Sequence, residues 1–227
     1  MIRFRLANKI TDSNIPEGIK SVLIKGIWKS PYNEVEKEKE IIFIHVPKCA
    51  GRSVRKAVGL PRDGHDRALW YKFHDPEKFR RYFKFTVVRN PWDRLVSAYF
   101  YLRQDRGHET TKKWVEKNLR EYEKFNDFVL SLKKDKVRRD ILSWTHFLPQ
   151  HKWISDSEGS ILVDFVAKLE NLETDFHKIK ECTKINDNLE RINESEKKGY
   201  KNYYSEETAK IVQSVYKKDV KYLGYSY

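Results

Sequence analysis

Cysteine is scarce in this chain of 227 residues, which contains only Cys49 and Cys182. Two cysteines so far apart provide neither a disulfide framework nor the paired spacing of a cysteine-based metal site. We therefore expect both thiols to be reduced, as is typical of a cytosolic protein. The sequence shows no convincing cluster of metal ligands, so we also expect no bound metal.

Long apolar runs are missing as well. The N-terminal sequence MIRFRLANKI is basic, and no apolar run of signal-peptide length follows it. No segment approaches the roughly eighteen apolar residues that a membrane-spanning helix needs. We expect a protein with no membrane span and a cytoplasmic location.

Acidic residues are in deficit, because 33 Asp and Glu stand against 46 Lys and Arg and give a formal net charge of +13. This charge indicates a polyanionic partner. Nucleic acid, an acidic membrane, an acidic glycan and a multi-phosphate nucleotide all satisfy the charge alone. The chain lacks the GxxxxGK[ST] loop, which disfavours a nucleoside-triphosphate kinase or ATPase.

Hydrophobic residues make up 39% of the chain, enough for an ordinary core. Short apolar, β-rich runs predict buried strands over residues 41–46, 83–88 and 161–166. Strands that alternate with helices predict an α/β domain with a parallel sheet. Residues 1–40 are interpreted as an arm or leading helix, and residues 41–227 as the main domain. Helices are predicted from about residue 53 and over residues 91–102, 112–133, 138–142, 172–181 and 206–222.

The first candidate site follows the first strand, in the sequence HVPKCAGRS. Gly51 permits a tight turn and close approach of a phosphate to the backbone. The helix that starts here directs amides and partial positive charge into the loop. Lys48 and Arg52 add full charges, and Ser53 adds a hydroxyl. An ordinary strand-to-helix turn with solvated cations remains the alternative.

The second candidate site follows the second strand, where Arg89 precedes the predicted helix over residues 91–102. Asn90 is a good N-cap and Pro91 suits the first helical position. Arg89 offers a bidentate fork for phosphate oxygens. Ser97 lies two turns into the helix, so both groups reach one phosphate only if the ligand lies along that face.

The segment IFIHVPKCAGRSV followed by FKFTVVRNPWDRLVSAYFYL resembles the paired motifs that bind 3′-phosphoadenosine-5′-phosphosulfate (PAPS) in sulfotransferases. It is similar in particular to Golgi carbohydrate sulfotransferases and their bacterial relatives. The later segments THFLPQ, VDFVAKLEN and YYSEE resemble segments of that family in the same order. The resemblance covers roughly residues 41–225. It implies a P-loop-like three-layer fold, with a central parallel sheet flanked by helices.

The resemblance also implies an activity, the transfer of a sulfuryl group from PAPS to a hydroxyl, with 3′,5′-ADP as product. The loop over residues 48–53 would hold the 5′-phosphosulfate, while Arg89 and Ser97 would hold the 3′-phosphate. A basic loop around Gly199, with Lys197, Lys198 and Lys201, closes over that phosphate or is a solvated surface run. The donor-binding residues implied are Lys48, Cys49, Ala50, Gly51, Arg52, Ser53, Val54, Arg89, Ser97 and Lys201.

The loop departs from the PKTGGTS pattern of the family at Cys49, Ala50 and Arg52. Backbone contacts survive these changes, but the hydroxyl expected at position 52 becomes a guanidinium. This change either tightens phosphate binding or perturbs the loop.

Sulfuryl transfer by in-line displacement depends on positioning and electrostatic stabilisation, by analogy with phosphoryl transfer. Lys48 is suited to neutralising charge on the departing phosphate. A histidine is the side chain best tuned to act as base near neutral pH. His65 resembles the acceptor-side histidine of the family and is our choice of base, with His74 as the alternative.

The positive charge favours an anionic glycan as the hydroxyl acceptor. A lipid, a small metabolite or a tyrosyl residue fits the same scaffold. Two other functions compete with sulfuryl transfer: a basic nucleic-acid-binding protein, and a nucleotide-binding relative without catalysis. The first is disfavoured because no nucleic-acid-binding motif accompanies the charge.

Overall fold

The computed structural model describes residues 2–61, 64–104, 108–189 and 199–227. The chain forms two compact units, the first from Met1–Val88 and Gln150–Glu194 and the second from Arg89–Pro149 and Ser195–Tyr227. The predicted boundary at residue 40 stays a prediction.

The first unit contains a sheet of three parallel strands in the order β1-β2-β3. They are β1 Ile41–Ile44, β2 Phe83–Val88 and β3 Phe165–Lys168. Ile41 pairs with Phe83, and Phe85 pairs with Phe165. Every residue of β1 is buried, as expected of a parallel strand covered on both faces. The predicted α/β fold with a central parallel sheet flanked by helices is confirmed.

Helices of the first unit precede, connect and follow these strands. They are α1 Ile2–Thr11, α2 Glu17–Ile27, α3 Glu34–Lys39, α4 Gly51–Val58, α5 Ala68–His74, α6 Pro76–Arg81, α11 His151–Ile154 and α12 Leu172–Glu181. A 3₁₀ turn at Leu169–Asn171 joins β3 to α12.

The third strand begins later than the predicted run over residues 161–166. Ile161 forms an isolated antiparallel bridge with Ser155 instead. Asp164 then anchors the chain to β2, because its carboxylate accepts from the Lys84 amide at 2.8 Å and its own amide donates to the Lys84 carbonyl at 2.8 Å. The apolar run is therefore divided between a bridge and the entrance to β3.

The second unit is helical in its described residues and surrounds an aromatic core. Its helices are α7 Pro91–Leu102, α8 Glu109–Asn118, α9 Phe125–Ser131, α10 Asp135–Leu142, α13 Glu206–Val215 and α14 Lys217–Leu223, with a 3₁₀ turn at Tyr200–Tyr203. Trp92, Tyr99 and Phe128 are almost completely buried in this core. The Trp92 indole donates to the Ala209 carbonyl at 2.9 Å and so joins α7 to α13.

Residues 112–133, predicted as one helix, divide into α8 and α9 because side chains of the second unit bind the carbonyls between them. Tyr99 Oη donates to the carbonyls of Tyr122 and Glu123 at 2.6 and 3.1 Å. Arg103 donates to the Tyr122 carbonyl at 2.7 Å. These long-range hydrogen bonds replace the intrahelical ones that a continuous helix would form.

The predicted helix over residues 206–222 is also divided, at Tyr216. The Tyr216 hydroxyl donates to the Phe147 carbonyl at 2.9 Å, and its ring is buried. The start of α13 is capped by Ser205, whose hydroxyl accepts from the Thr208 amide at 3.2 Å.

Among the described residues, no helix is long and apolar enough to cross a membrane. The cytoplasmic location stays a prediction.

Candidate functional site

The loop between β1 and α4 has an unusual backbone. Lys48 and Ala50 have φ angles of 70° and 54°, in the left-handed region that non-glycine residues seldom occupy. Ala50 is the N-cap of α4, and its side chain has no group that accepts from the first amides of the helix. Strained backbone of this kind concentrates where a ligand is bound.

Gly51 allows the start of α4 to pack directly on His45. A Cβ added to Gly51 would lie 1.8 Å from His45 Nε2, a distance that no real contact shows. Glycine is therefore required here by close approach to a side chain, whereas the sequence predicted a tight turn and close approach of a phosphate.

His45 follows the last residue of β1, and its ring is held from the other side by Arg55. The Arg55 Nε–H donates to His45 Nδ1 at 3.2 Å. Because Nδ1 accepts, we assign the proton of the neutral His45 ring to Nε2.

His65, the predicted base, lies beside His45. His65 Nδ1 is 3.1 Å from the backbone carbonyl oxygen of His45, and the two rings are 4.2 Å apart. A carbonyl only accepts, so we assign the proton of the neutral His65 ring to Nδ1 and the lone pair to Nε2. The structure therefore brings the predicted base next to the residue that leads into the loop.

The other loop residues differ in exposure. Cys49 and Val54 are fully buried and Ser53 nearly so, whereas the Arg52 side chain is exposed. The Cys49 thiol donates to Gln150 Oε1 at 3.3 Å, and Gln150 is itself completely buried. Cys49 therefore anchors the loop from within, while Arg52 presents its guanidinium outward.

A half-buried carboxyl group, that of Asp66, follows His65. Burial raises the pKa of Asp66, whereas the hydrogen bond from the Trp28 indole and the charge of Arg55 lower it. The Trp28 Nε1–H donates to Asp66 Oδ1 at 2.8 Å. This contact connects the His65 segment to the end of α2.

Arg89 and Ser97 belong to the second unit, at the start and on the body of α7. The Arg89 Nε–H donates to Asp93 Oδ2 at 2.8 Å, which holds the guanidinium against the first turn of the helix. Ser97 is buried, with 6% of its surface exposed. Arg94, on the same helix, is buried and donates to the Leu148 carbonyl at 3.1 Å.

Lys201 lies in the 3₁₀ turn of the second unit. The neighbouring Tyr200 hydroxyl accepts from Asn90 Nδ2 at 3.3 Å, so this turn packs against the start of α7 beside Arg89. Lys201 is exposed, and its Nζ lies 5.3 Å from the centre of the Tyr227 ring. Lys197 and Lys198 lie outside the described residues.

The alternative base, His74, is the last residue of α5. Its Nε2 is 2.8 Å from the Trp28 carbonyl, so Nε2 carries the proton. Its ring thus serves the contact between α5 and the end of α2.

Sequence reasoning missed two residues that support the loop, Arg55 and Gln150. Arg55 lies in a basic helical stretch that resembles a solvated surface. Gln150 ends the THFLPQ segment, which resembles the family but indicates no role for this residue. Gln150 has no local signal, because its partner Cys49 is 101 positions away. Arg55 has none either, because its partners at positions 45, 61 and 64 form no sequence pattern with it.

In the described parts of the chain, no group of three or more His, Cys, Asp or Glu residues is placed to hold a metal ion. A family model described as the sulfotransferase family matches residues 34–226, which is more than half of the chain. Comparison with curated proteins found no match, and comparison with solved structures found none either.

Proposed function

Because this chain belongs to the sulfotransferase family, we propose that it transfers the sulfuryl group of PAPS to a hydroxyl of an anionic glycan. The family establishes an enzyme that transfers a sulfuryl group to a hydroxyl acceptor. PAPS as donor, the glycan acceptor and the roles of individual residues are our proposal. The main observation that supports the proposal is the contact of His65 with His45, because it places the proposed base at the entrance to the loop over residues 48–53.

The loop suits the 5′-phosphosulfate end of PAPS. Left-handed backbone at Lys48 and Ala50 and an N-cap without a polar side chain leave helix amides for anionic oxygens. Lys48 supplies a full positive charge beside them, and Arg52 directs a second charge outward. These features favour an anion over a neutral ligand.

The start of α7 suits the 3′-phosphate. Arg89 is oriented by Asp93, and a guanidinium held in one orientation loses little entropy when it binds phosphate oxygens. Lys201 belongs to a turn that packs beside this helix start, which supports a role for it in the same subsite. Ser97 adds a hydroxyl on the same helix.

The residues divide the chemistry between them. PAPS supplies a sulfuryl group on a phosphate leaving group. His65 Nε2 carries the lone pair and accepts the proton of the attacking hydroxyl. The Lys48 ammonium neutralises the negative charge that collects on the departing oxygen. No step in this scheme requires a metal.

The acceptor is proposed from charge. An excess of 13 positive charges attracts an anionic glycan and raises its local concentration at the surface. A panel of carboxylated and sulfated glycans, neutral glycans and neutral phenols tests this with ³⁵S-labelled PAPS. The anionic glycans are expected to be the best acceptors; a neutral phenol that exceeds every glycan contradicts the proposal.

The base is tested in the same assay with single histidine variants. His65→Ala is expected to lower kcat by about 10²- to 10⁴-fold, the usual contribution of a general base. His177→Ala, at an exposed histidine of α12, is the matched control and should retain wild-type turnover. Loss of turnover in His74→Ala but not in His65→Ala would transfer the role to His74. A wild-type protein that binds PAPS without turnover would be a non-catalytic relative.

A further inference from the structure

Arg55 is a buried side chain of α4, with 7% of its surface exposed. Its guanidinium contacts the residue after β1 and two backbone carbonyls that precede His65. Its Nε–H donates to His45 Nδ1 at 3.2 Å. One terminal nitrogen donates to the Pro61 carbonyl at 2.6 Å, and the other donates to the Gly64 carbonyl at 2.8 Å. The guanidinium therefore joins the end of β1 to the residue directly before His65.

His45 extends this connection in two directions. Its ring packs against Gly51 at the start of α4, where a Cβ would lie 1.8 Å from Nε2. Its backbone carbonyl accepts from His65 Nδ1 at 3.1 Å. One residue thus touches both the loop proposed to bind the donor and the proposed base.

We propose that Arg55, acting through His45 and the Gly64 carbonyl, is a positioning residue that fixes the orientation and tautomer of His65. This inference rests on the proposed function for its catalytic meaning, but its structural content stands by itself. Arg55 holds His45 as the Nε2–H tautomer, and the His45 carbonyl holds His65 as the Nδ1–H tautomer. The two neighbouring rings then carry their protons on opposite nitrogens.

Lysine is the informative replacement because it retains the charge but has a single nitrogen at its end. That nitrogen has no planar fork, so it does not reproduce three divergent hydrogen bonds in the Arg55 geometry. A merely electrostatic role for Arg55 would survive the change Arg55→Lys. A positioning role would not.

The first test determines the tautomers in the wild-type protein, from two-bond ¹H–¹⁵N correlation spectra of its histidine rings. Signals of His45 and His65 are assigned by their absence in His45→Gln and His65→Gln. We expect Nδ1–H for His65 and Nε2–H for His45. The same tautomer on both rings, or Nε2–H on His65, would overturn the inference even if Arg55→Lys does not fold.

The second test compares Arg55→Lys with Arg81→Lys, an exposed arginine of the same unit that pairs with Glu40. In Arg55→Lys the two ¹⁵N shifts of His65 should converge as tautomers mix, whereas Arg81→Lys should give the wild-type spectrum. Wild-type His65 shifts in folded Arg55→Lys would overturn the inference.

Kinetics separate this inference from the proposed function. With PAPS and an acceptor, Arg55→Lys is expected to lower kcat about 10- to 100-fold, with a smaller change in the affinity for 3′,5′-ADP. An equal loss of kcat and donor affinity would indicate collapse of the loop and would count against positioning. If the wild-type protein does not turn over PAPS, the proposed function fails, and the spectra still decide how His65 is held.

Discussion

At the start of α4, Gly51 places its Cα against the His45 imidazole, on the side opposite to the Arg55 contact. The ring is therefore clamped between a guanidinium and a helix start. This packing makes the loop geometry depend on one hydrogen atom at position 51 and on one ring at position 45.

Gly51→Ala is expected to destabilise the protein by about 2 kcal/mol or more, because the new methyl group overlaps the His45 ring. Urea unfolding measures the loss. The double variant Gly51→Ala/His45→Ala should recover part of it, since the overlap needs both side chains. Additive losses in the double variant would contradict the packing described.

Glu36 in α3 is a buried carboxyl group with a strongly shifted pKa. Burial raises the pKa of Glu36 to about 7 from its usual 4.5, against the lowering effects of hydrogen bonds from Asn33 and Tyr71 and of the Arg55 charge. Between these pH values the folded protein binds more protons than the unfolded chain. The free energy of unfolding therefore falls as the pH rises from 4.5 to 7.

Above pH 7 the loss in the free energy of unfolding is on the order of 3 kcal/mol, at about 1.4 kcal/mol for each unit by which the pKa of Glu36 is raised. Glu36→Gln removes the ionisation, so its stability relative to wild type should rise across this pH range. Urea unfolding at several pH values measures the difference. Glu34→Gln, at an exposed site on the same helix, is the matched control. A difference for Glu36→Gln that does not change with pH would contradict burial of the charge.

At the scale of elements, the start of α7 is held by several hydrogen bonds of the Asn90 side chain. Asn90 Oδ1 accepts from the Trp92 amide at 3.1 Å, which caps the helix. Asn90 Nδ2 donates to the Tyr200 hydroxyl at 3.3 Å and to the Ser226 carbonyl at 3.1 Å. One side chain thus caps the helix that carries Ser97 and holds the turn that carries Lys201.

The cap and the two donated bonds are separable by substitution. Asn90→Asp retains a good capping oxygen and loses both donors, which should cost about 1 kcal/mol. Asn90→Ala loses the cap as well, for a total of about 2 kcal/mol. Urea unfolding should rank wild type above Asp and Asp above Ala. Equal stability of the two variants would show that the cap contributes nothing.

Elements whose signals are local were predicted well. The strand Phe83–Val88 and the helices Pro91–Leu102 and Leu172–Glu181 occupy the predicted residues. Predictions were wrong where distant groups decide the backbone. Tyr99 binds carbonyls between α8 and α9, and Asp164 delays β3.

The same distinction applies to the candidate site. The loop over residues 48–53 could be predicted from the sequence because its residues are contiguous. The choice of His65 rested on the family resemblance. The contact of His65 with His45 joins residues 20 positions apart, and nothing local in the sequence encodes it. Arg55 was missed because its carbonyl partners, Pro61 and Gly64, lie in a segment with no recognisable sequence pattern.

At the scale of the whole molecule, positive charge and specific anion binding make different predictions. A net charge of +13 attracts any polyanion, and this attraction weakens steeply with salt. Binding of a nucleotide by an oriented guanidinium and a helix start depends on single residues. A measurement that removes one cation at a time, at constant salt, distinguishes the two.

The most direct test is isothermal titration of 3′,5′-ADP into the wild-type protein and into Lys48→Ala, Arg89→Ala and Arg81→Ala. We expect wild-type binding on the order of micromolar, with a loss of tenfold or more in Lys48→Ala and in Arg89→Ala. Arg81→Ala removes an equal charge from an exposed site and should bind as wild type. No binding by the folded wild-type protein, or equal losses in all three variants, would contradict the account.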